Sequence, residues 1–410
     1  MHNRITSVIV VSLAIAGCSR DTAVMDKGAT PGLATPDMVM QPDLLQNPDM
    51  AIKTCLKLGK PVQVEVGKGN YDGTTVVSAF NPMLNASSNL VVYIDDNKCW
   101  KFIPYRSDGT EFACPACRNA CTQNAYGMSA IIATQAGGYL VDFGPTNLPG
   151  ETLFETDYLG QVTASQPGHA EAFTTTPTGE YAFTFASQEY SLYKIVAAEK
   201  VFLRSFKTSG KESVSPMNSG EGLAMIDGTA AIGTVRLNHI SNATELVVLL
   251  DDGVSSLREA VVAHVDWPCN NSNACVPLPF SIYGVETLGK NYFAVEWIVN
   301  GIGNLHMTFI DLTGTVIHDY TFGSPPYYRV VHLLGGGWAM LTSTAPDYSI
   351  LRLNLIGEFD PAKGTGGDII DSFDIMNGNG YGTIAANDVG VVVGWSDRQE
   401  NVYADFFGCN

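Results

Sequence analysis

Apolar and polar positions alternate with a period of two through most of this chain, in pairs of short runs split by a glycine or aspartate turn. The pairs read AIIATQAGGYLVDF at 130–143, AFTTTPTGEYAFTF at 172–185, GLAMIDGTAAIGTV at 222–235, YGVETLGKNYFAVEW at 283–297, VVHLLGGGWAML at 330–341 and YGTIAANDVGVVVGW at 381–395. A degenerate copy covers 74–95. The turn residues Gly138, Gly179, Gly228, Gly289, Gly336 and Asp388 are 41, 49, 61, 47 and 52 residues apart. A second pair of strands follows each hairpin, as in SLYKIV with VFLRSF and in LHMTFIDLTGTVIHDYTF. The Asp252-Gly253 and Asp311–Gly314 stretches suit short β connections, because glycine supplies positive φ without steric cost. Helical periodicity is nearly absent. Only 255–265 admits a short helix, and a strand is the preferred reading there.

Four short strands in each unit of about 50 residues is the layout of a propeller blade. Seven units are counted if the last is shared between the chain ends: GVVVGW and NVYADFFGC join 381–386, and the orphan strand PVQVEVG at 61–67 completes the blade. Closure of this kind removes exposed sheet edges. The expectation is therefore an all-β, seven-bladed β-propeller over 54–410, closed by an N-terminal strand, with six or eight blades also compatible with the irregular spacings. The pattern resembles the propeller class in general and no specific repeat family. No Trp-Asp ending recurs, and the Gly-Gly of kelch repeats is sporadic.

The first residues carry a different signal. Arg4 precedes an apolar run, Ile5 to Ala16, too short to span a bilayer, which ends Ile15-Ala16-Gly17-Cys18. This resembles the lipobox of bacterial lipoproteins. The resemblance implies a signal peptide at 1–17, diacylglycerol on the Cys18 thiol, cleavage before it and acylation of the new amino terminus. Several acyl chains anchor firmly, at roughly 0.8 kcal/mol per buried CH₂. Ser19 in place of the aspartate retention signal points to the outer membrane, with the leaflet left open. Residues 18–53 then read as a tether. Pro36, Pro42 and Pro48 each precede an aspartate, Asp37, Asp43 and Asp49, and repeated Pro-Asp with negative charge stays extended and solvated. The composition resembles stalks of lipoproteins from myxobacteria and their relatives.

Charge narrows the partners. With 41 acidic and 23 basic residues, a net charge of −18 and no Lys/Arg run, nucleic acid is not an expected ligand. The 41 glycines and only 16% charged residues fit a turn-rich β protein. The chain is read as a monomer that meets the membrane through its N-terminal lipid and a protein or glycan through the propeller.

Eight cysteines remain after Cys18, an even number that in an exported protein argues for disulfides. Cys269 and Cys275 bracket a polar loop and pair most simply with each other. Counting across the Asp108-Gly109 hairpin sets Cys99 nearly opposite Cys117, which leaves Cys114 for Cys121; two other connectivities of these four exist. Pairing of strand 61–67 into the last blade would bring Cys55 to Cys409. The CPACRNAC stretch also has the spacing of a redox CxxC, but it lacks the strand-to-helix setting that this chemistry uses. Four thiolates from Cys99, Cys114, Cys117 and Cys121 could hold zinc, against an irregular spacing and an oxidising compartment.

No metalloprotease, nucleophile-elbow, P-loop or dinucleotide signature occurs. No catalytic residue, metal or cofactor is assigned. His169-Ala170-Glu171 reads as a surface pair. Asp95-Asp96-Asn97 and Asp251-Asp252-Gly253 read as turns first and calcium ligands second. Trp297, Trp338 and Trp395 occupy corresponding strands, where they pack the blades or, near a face, stack on sugars. Two functions stay open: a membrane-anchored envelope lipoprotein presenting the propeller as a binding or scaffold module, and an envelope enzyme for glycans or peptides with its site at the propeller axis. Carboxylates or histidines converging at one mouth of the channel would favour the enzyme.

Overall fold

The computed structural model describes residues 55–65, 74–97, 99–114, 122–123, 128–143, 152–168, 170–186, 189–207, 212–216, 222–238, 243–255, 257–266, 280–299, 303–323, 328–333, 336–343, 350–377, 382–397 and 399–409. Within them the chain forms seven antiparallel sheets, each a four-stranded blade. Blade 1 runs Thr75–Asn81, Ala86–Ile94, Cys99–Arg106, Thr122–Gln123. Blade 2 is Met128–Ala133, Tyr139–Phe143, Thr152–Thr156, Val162–Pro167, and blade 3 is Ala172–Thr176, Gly179–Ala186, Glu189–Val196, Glu199–Lys207. In blade 4 the first position is split between Glu212–Pro216 and Leu223–Ile226, and Thr229–Asn238, Ala243–Asp251 and Arg258–Asp266 follow. Arg258–Asp266 is thus a strand, as read over the helix alternative. Blade 5 is Phe280–Leu288, Tyr292–Val299, Leu305–Asp311, Val316–Phe322. Blade 6 is Tyr328–His332, Trp338–Ser343, Ile350–Ile356, Ile369–Asn377, with a side hairpin of Phe359–Asp360 and Thr365–Gly366.

Blade 7 joins the two ends of the chain. Gly382–Ala386, Gly390–Ser396 and Val402–Cys409 supply three strands, and the outer position is filled by Cys55–Lys57 and Val62–Glu65. Cys55 lies opposite Cys409, and the two are disulfide-bonded.

The ring is held by seven hydrophobic clusters, one in each seam between neighbouring blades. Strict alternation produces them: one set of side chains on a strand packs toward the preceding blade and the other toward the next. Val76, Val91, Ile103 and Tyr105 of blade 1 meet Val392, Ala404 and Phe406 of blade 7, so the first and last blades share a core like any other pair. The Val76 amide donates to Thr383 Oγ1 across this seam at 2.8 Å.

Antiparallel order gives the ring two faces. Turns between first and second strands, and between third and fourth, fall on one side, the turn face. Turns between second and third strands, and the links from blade to blade, fall on the other, the connection face. Four turns share one construction, at Asp95, Asp157, Asp311 and Asp397. In each, the aspartate Oδ1 accepts the amides two and four residues on, at 2.8–2.9 Å. Part of the acidic excess is thereby consumed in pinning turns. Asp95 is confirmed as a turn residue, and among the described residues no group of three or more His, Cys, Asp or Glu is placed to hold a metal.

The Cys99 register differs from the count across the hairpin. Tyr105 does bridge to Glu111, and the Phe112 amide reaches Pro104 O at 3.0 Å, but Cys99 pairs with Gln123. The hairpin therefore runs in register only as far as Phe112. Pro115, which has no amide to donate, follows just beyond the last described residue of that stretch.

Candidate functional site

The first strands surround the axis, and their sequences show what they offer there. Apart from Glu212 in the split strand of blade 4, their acidic, basic and histidine side chains are three: Glu286 of blade 5, and Arg329 and His332 of blade 6. Arg329 stacks on Tyr283 at 5.6 Å. Convergent carboxylates or a histidine cluster on these strands are not found among the described residues.

The chemistry gathers instead on the two sides of blade 5. On the side facing blade 4, Trp297 Nε1 donates to Thr308 Oγ1 at 2.8 Å. Thr308 Oγ1 donates to Asp319 Oδ1 at 2.6 Å. Asp319 Oδ2 lies 2.8 Å from His306 Nδ1, and the imidazole stacks on the Trp297 indole at 4.1 Å and 12°. Register explains the assembly. Trp297 pairs with His306 and Thr308 with Asp319, so four side chains from three strands share one side. The bonds converge on the Asp319 carboxylate, which accepts from Thr308 Oγ1 on one oxygen and from His306 Nδ1 on the other. A histidine oriented by a carboxylate can take up a proton or ligate a cation. The Thr321 hydroxyl lies 3.4 Å from the same Nδ1.

On the side facing blade 6, Glu358 Oε2 accepts the Gly337 amide at 2.5 Å and lies 3.4 Å from His332 Nε2. Burial pushes the Glu358 carboxyl up, but His332 and the Gly337 and Phe359 amides outweigh it and bring it below the usual range. His332 also meets the Trp338 indole edge-on at 4.9 Å. A third cluster lies in blade 4. The fully buried Arg236 donates from Nε to Glu245 at 2.8 Å and from Nη1 to Glu259 at 2.7 Å, while its Nη2 has no hydrogen-bond partner.

Trp297, Trp338 and Trp395 are exposed by only 5%, 0% and 2%, so they pack blades and offer no open ring for a sugar. Cys55, Cys99, Cys114 and Cys409, all the cysteines among the described residues, are disulfide-bonded, which removes Cys99 and Cys114 as zinc thiolates. The pairings Cys99–Cys117, Cys114–Cys121 and Cys269–Cys275 each involve residues outside the described ones, as do Cys18 and His169. Asp252 is a turn residue. Its Oδ1 accepts the Val254 and Ser255 amides, which with the nearby Arg258 bring its carboxyl down to about 2. Sequence reasoning singled out Trp297 but missed His306, Thr308 and Asp319. The available signal was polar residues at i and i+2 on strands whose other side is apolar.

No family model matches the chain, and no curated protein does. Among solved structures, the Dos1 propeller is similar with a TM-score of 0.44 and 9% identity over 85% of this chain and 94% of that one. The WD40 domain of Toxoplasma gondii coronin gives 0.43 and 10% over 87% of each. The six-bladed fucose-binding lectin of Aleuria aurantia gives 0.42 and 11% over 77% of this chain and all of that one. At this distance the assignment of a seven-bladed propeller rests on the strand pairing and the seven seams.

Proposed function

We propose that this chain is a lipid-anchored protein of the bacterial cell envelope, most simply of the outer membrane. Cys18 carries the lipid, residues 18–53 form the tether, and the propeller serves as a monomeric binding or scaffold module for a protein or glycan. The observation that carries the reading is the state of the cysteines: all four described ones are in disulfides, which persist in oxidising compartments and are rare in the cytosol. The lipobox supplies the address, and the closed ring supplies a rigid platform. Cys55 joins the ring on the turn face, and the opposite, connection face is the one this reading assigns to a ligand. The test is metabolic labelling with an alkynyl palmitate in a bacterial host. Wild type is expected to take up label and fractionate with membranes, and Cys18→Ala to do neither. An unlabelled wild type with its mature N-terminus elsewhere than Cys18 would refute the anchor.

A further inference from the structure

Where the N-terminal strand enters blade 7, the turn face carries an apolar patch. Leu56 and Leu58 come from the entering chain, Val389 from a blade 7 turn, and Met83 and Leu84 from the adjoining turn of blade 1. Their exposures are 67%, 43%, 40%, 94% and 44%. Contacts tie them into one surface. Leu56 lies opposite Gly408, Leu58 packs over Gly408, and the Cys409 amide donates to Val389 O at 2.6 Å. The Asp388 amide donates to Ser87 Oγ at 3.0 Å, which joins that turn to the start of the strand following Leu84. Neither charge sign dominates: Lys57 pairs with Asp405, and the neighbouring stretches carry one lysine, Lys60, and one aspartate, Asp388. In a chain of net charge −18, this is an uncharged apolar island.

We propose that this patch is a second, shallow contact with the bilayer, in which Leu56, Leu58, Met83, Leu84 and Val389 rest at the boundary of headgroups and acyl chains. The inference rests on the lipid-anchor reading and specifies how the anchored domain stands. Three features favour lipid over a protein partner. The side chains project from turn tips and a strand end, a convex surface that suits a deformable plane better than a helix or peptide seeking a groove. Cys55, the first described residue, directly precedes Leu56 of the patch, so a membrane anchored through the residues before it is held at high effective concentration, and weak affinity suffices. The 37 residues from Cys18 to Cys55, about 120–130 Å at full extension, permit the contact without forcing it. Because the patch is neutral and the chain acidic, the contact favours zwitterionic over anionic lipid.

The experiment uses the full chain in two forms. Unlipidated Cys18→Ala protein is floated with phosphatidylcholine vesicles at low and high salt. Binding is expected to be weak and salt-insensitive, and to fall at least about tenfold in Leu56→Asp/Met83→Asp. Lipidated protein on the same vesicles is expected to show slowed amide exchange at 82–84 and 388–389, lost in the double variant while membrane fractionation persists. Both sites are exposed, so circular dichroism and Tm of the variant should match wild type. Equal flotation of variant and wild type, or unchanged exchange on vesicles, overturns the proposal. So does a concentration-dependent dimer abolished by the same substitutions, which would make a second copy the occupant. Failure of palmitate labelling removes the anchor alone, since flotation of the unlipidated chain is read separately.

Discussion

Cys55 and Cys409 face each other in register at the rim of blade 7, so the residue that starts the ring and the last described residue are covalently one position. The bond spans 354 residues of sequence. Cys55→Ala/Cys409→Ala should lower stability by about 2–5 kcal/mol in reversible denaturant unfolding, chiefly because the unfolded chain gains freedom. Non-reducing peptide mapping should recover one linked fragment from wild type. Cys55 linked instead to Cys99 or Cys114 would contradict the structure.

Asp405 sits under the same strand. Its carboxyl is 1% exposed and pairs with Lys57, yet burial outweighs the pairing and pushes it up to about 6 from an ordinary 3.8. The native state thus holds a proton that the unfolded chain has lost. The associated stability is fully present below pH 4 and disappears as pH rises through 6, a change of about 2–3 kcal/mol. Asp405→Asn should flatten the stability profile between pH 4 and 7 and raise Tm at pH 7. A steeper profile in the variant would overturn the assignment.

Arg236 compensates Glu245 and Glu259 in the seam between blades 3 and 4. Arg236→Met should cost about 3–5 kcal/mol, because two carboxylates then lack their cation. Replacing all three by apolar residues should recover most of that loss. A triple variant as unstable as the single one would mean that packing, not charge, sets the cost.

Thr308 relays between Trp297 and Asp319. Thr308→Val keeps the shape and removes both hydrogen bonds, at an expected cost of about 1–2 kcal/mol. The indole N–H resonance of Trp297 should move and exchange faster. An unmoved indole resonance would dissolve the relay.

Gly138 opens the second strand of blade 2, where a Cβ would lie 1.9 Å from Thr156 O, inside the ladder to the next strand. Gly138→Ala must push the two strands apart, with an expected loss of several kcal/mol and impaired folding. Gly228, whose added Cβ meets nothing within 4 Å, is the control; its φ of +83° limits the penalty to backbone strain, about 1–2 kcal/mol.

The fold was legible because each strand writes its two-sided burial as alternation. Glycine or aspartate turns kept the hairpins separable, and the orphan strand at 61–67 stood out by having no local partner. The His306–Asp319 grouping was not legible: its members come from separate strands, and only the register between them puts His306 across from Trp297. The Cys99 register escaped for a related reason. A count along a hairpin assumes continuous pairing, and pairing here stops at Phe112. The aspartate turns were seen as turns, but the shared Oδ1 geometry needs coordinates.

The rim disulfide also decides how the molecule bears force. Tension on the chain before Cys55 would otherwise peel the strand Cys55–Lys57 from blade 7 one hydrogen bond at a time, the weakest way to load a sheet. With Cys55 bonded to Cys409 on the neighbouring strand, the pull passes first into a covalent link and then into Val402–Cys409, which is paired along its length with Gly390–Ser396. Load is shared by the interior of the blade, and the ring resists opening at the place where tension from the N-terminal side would enter.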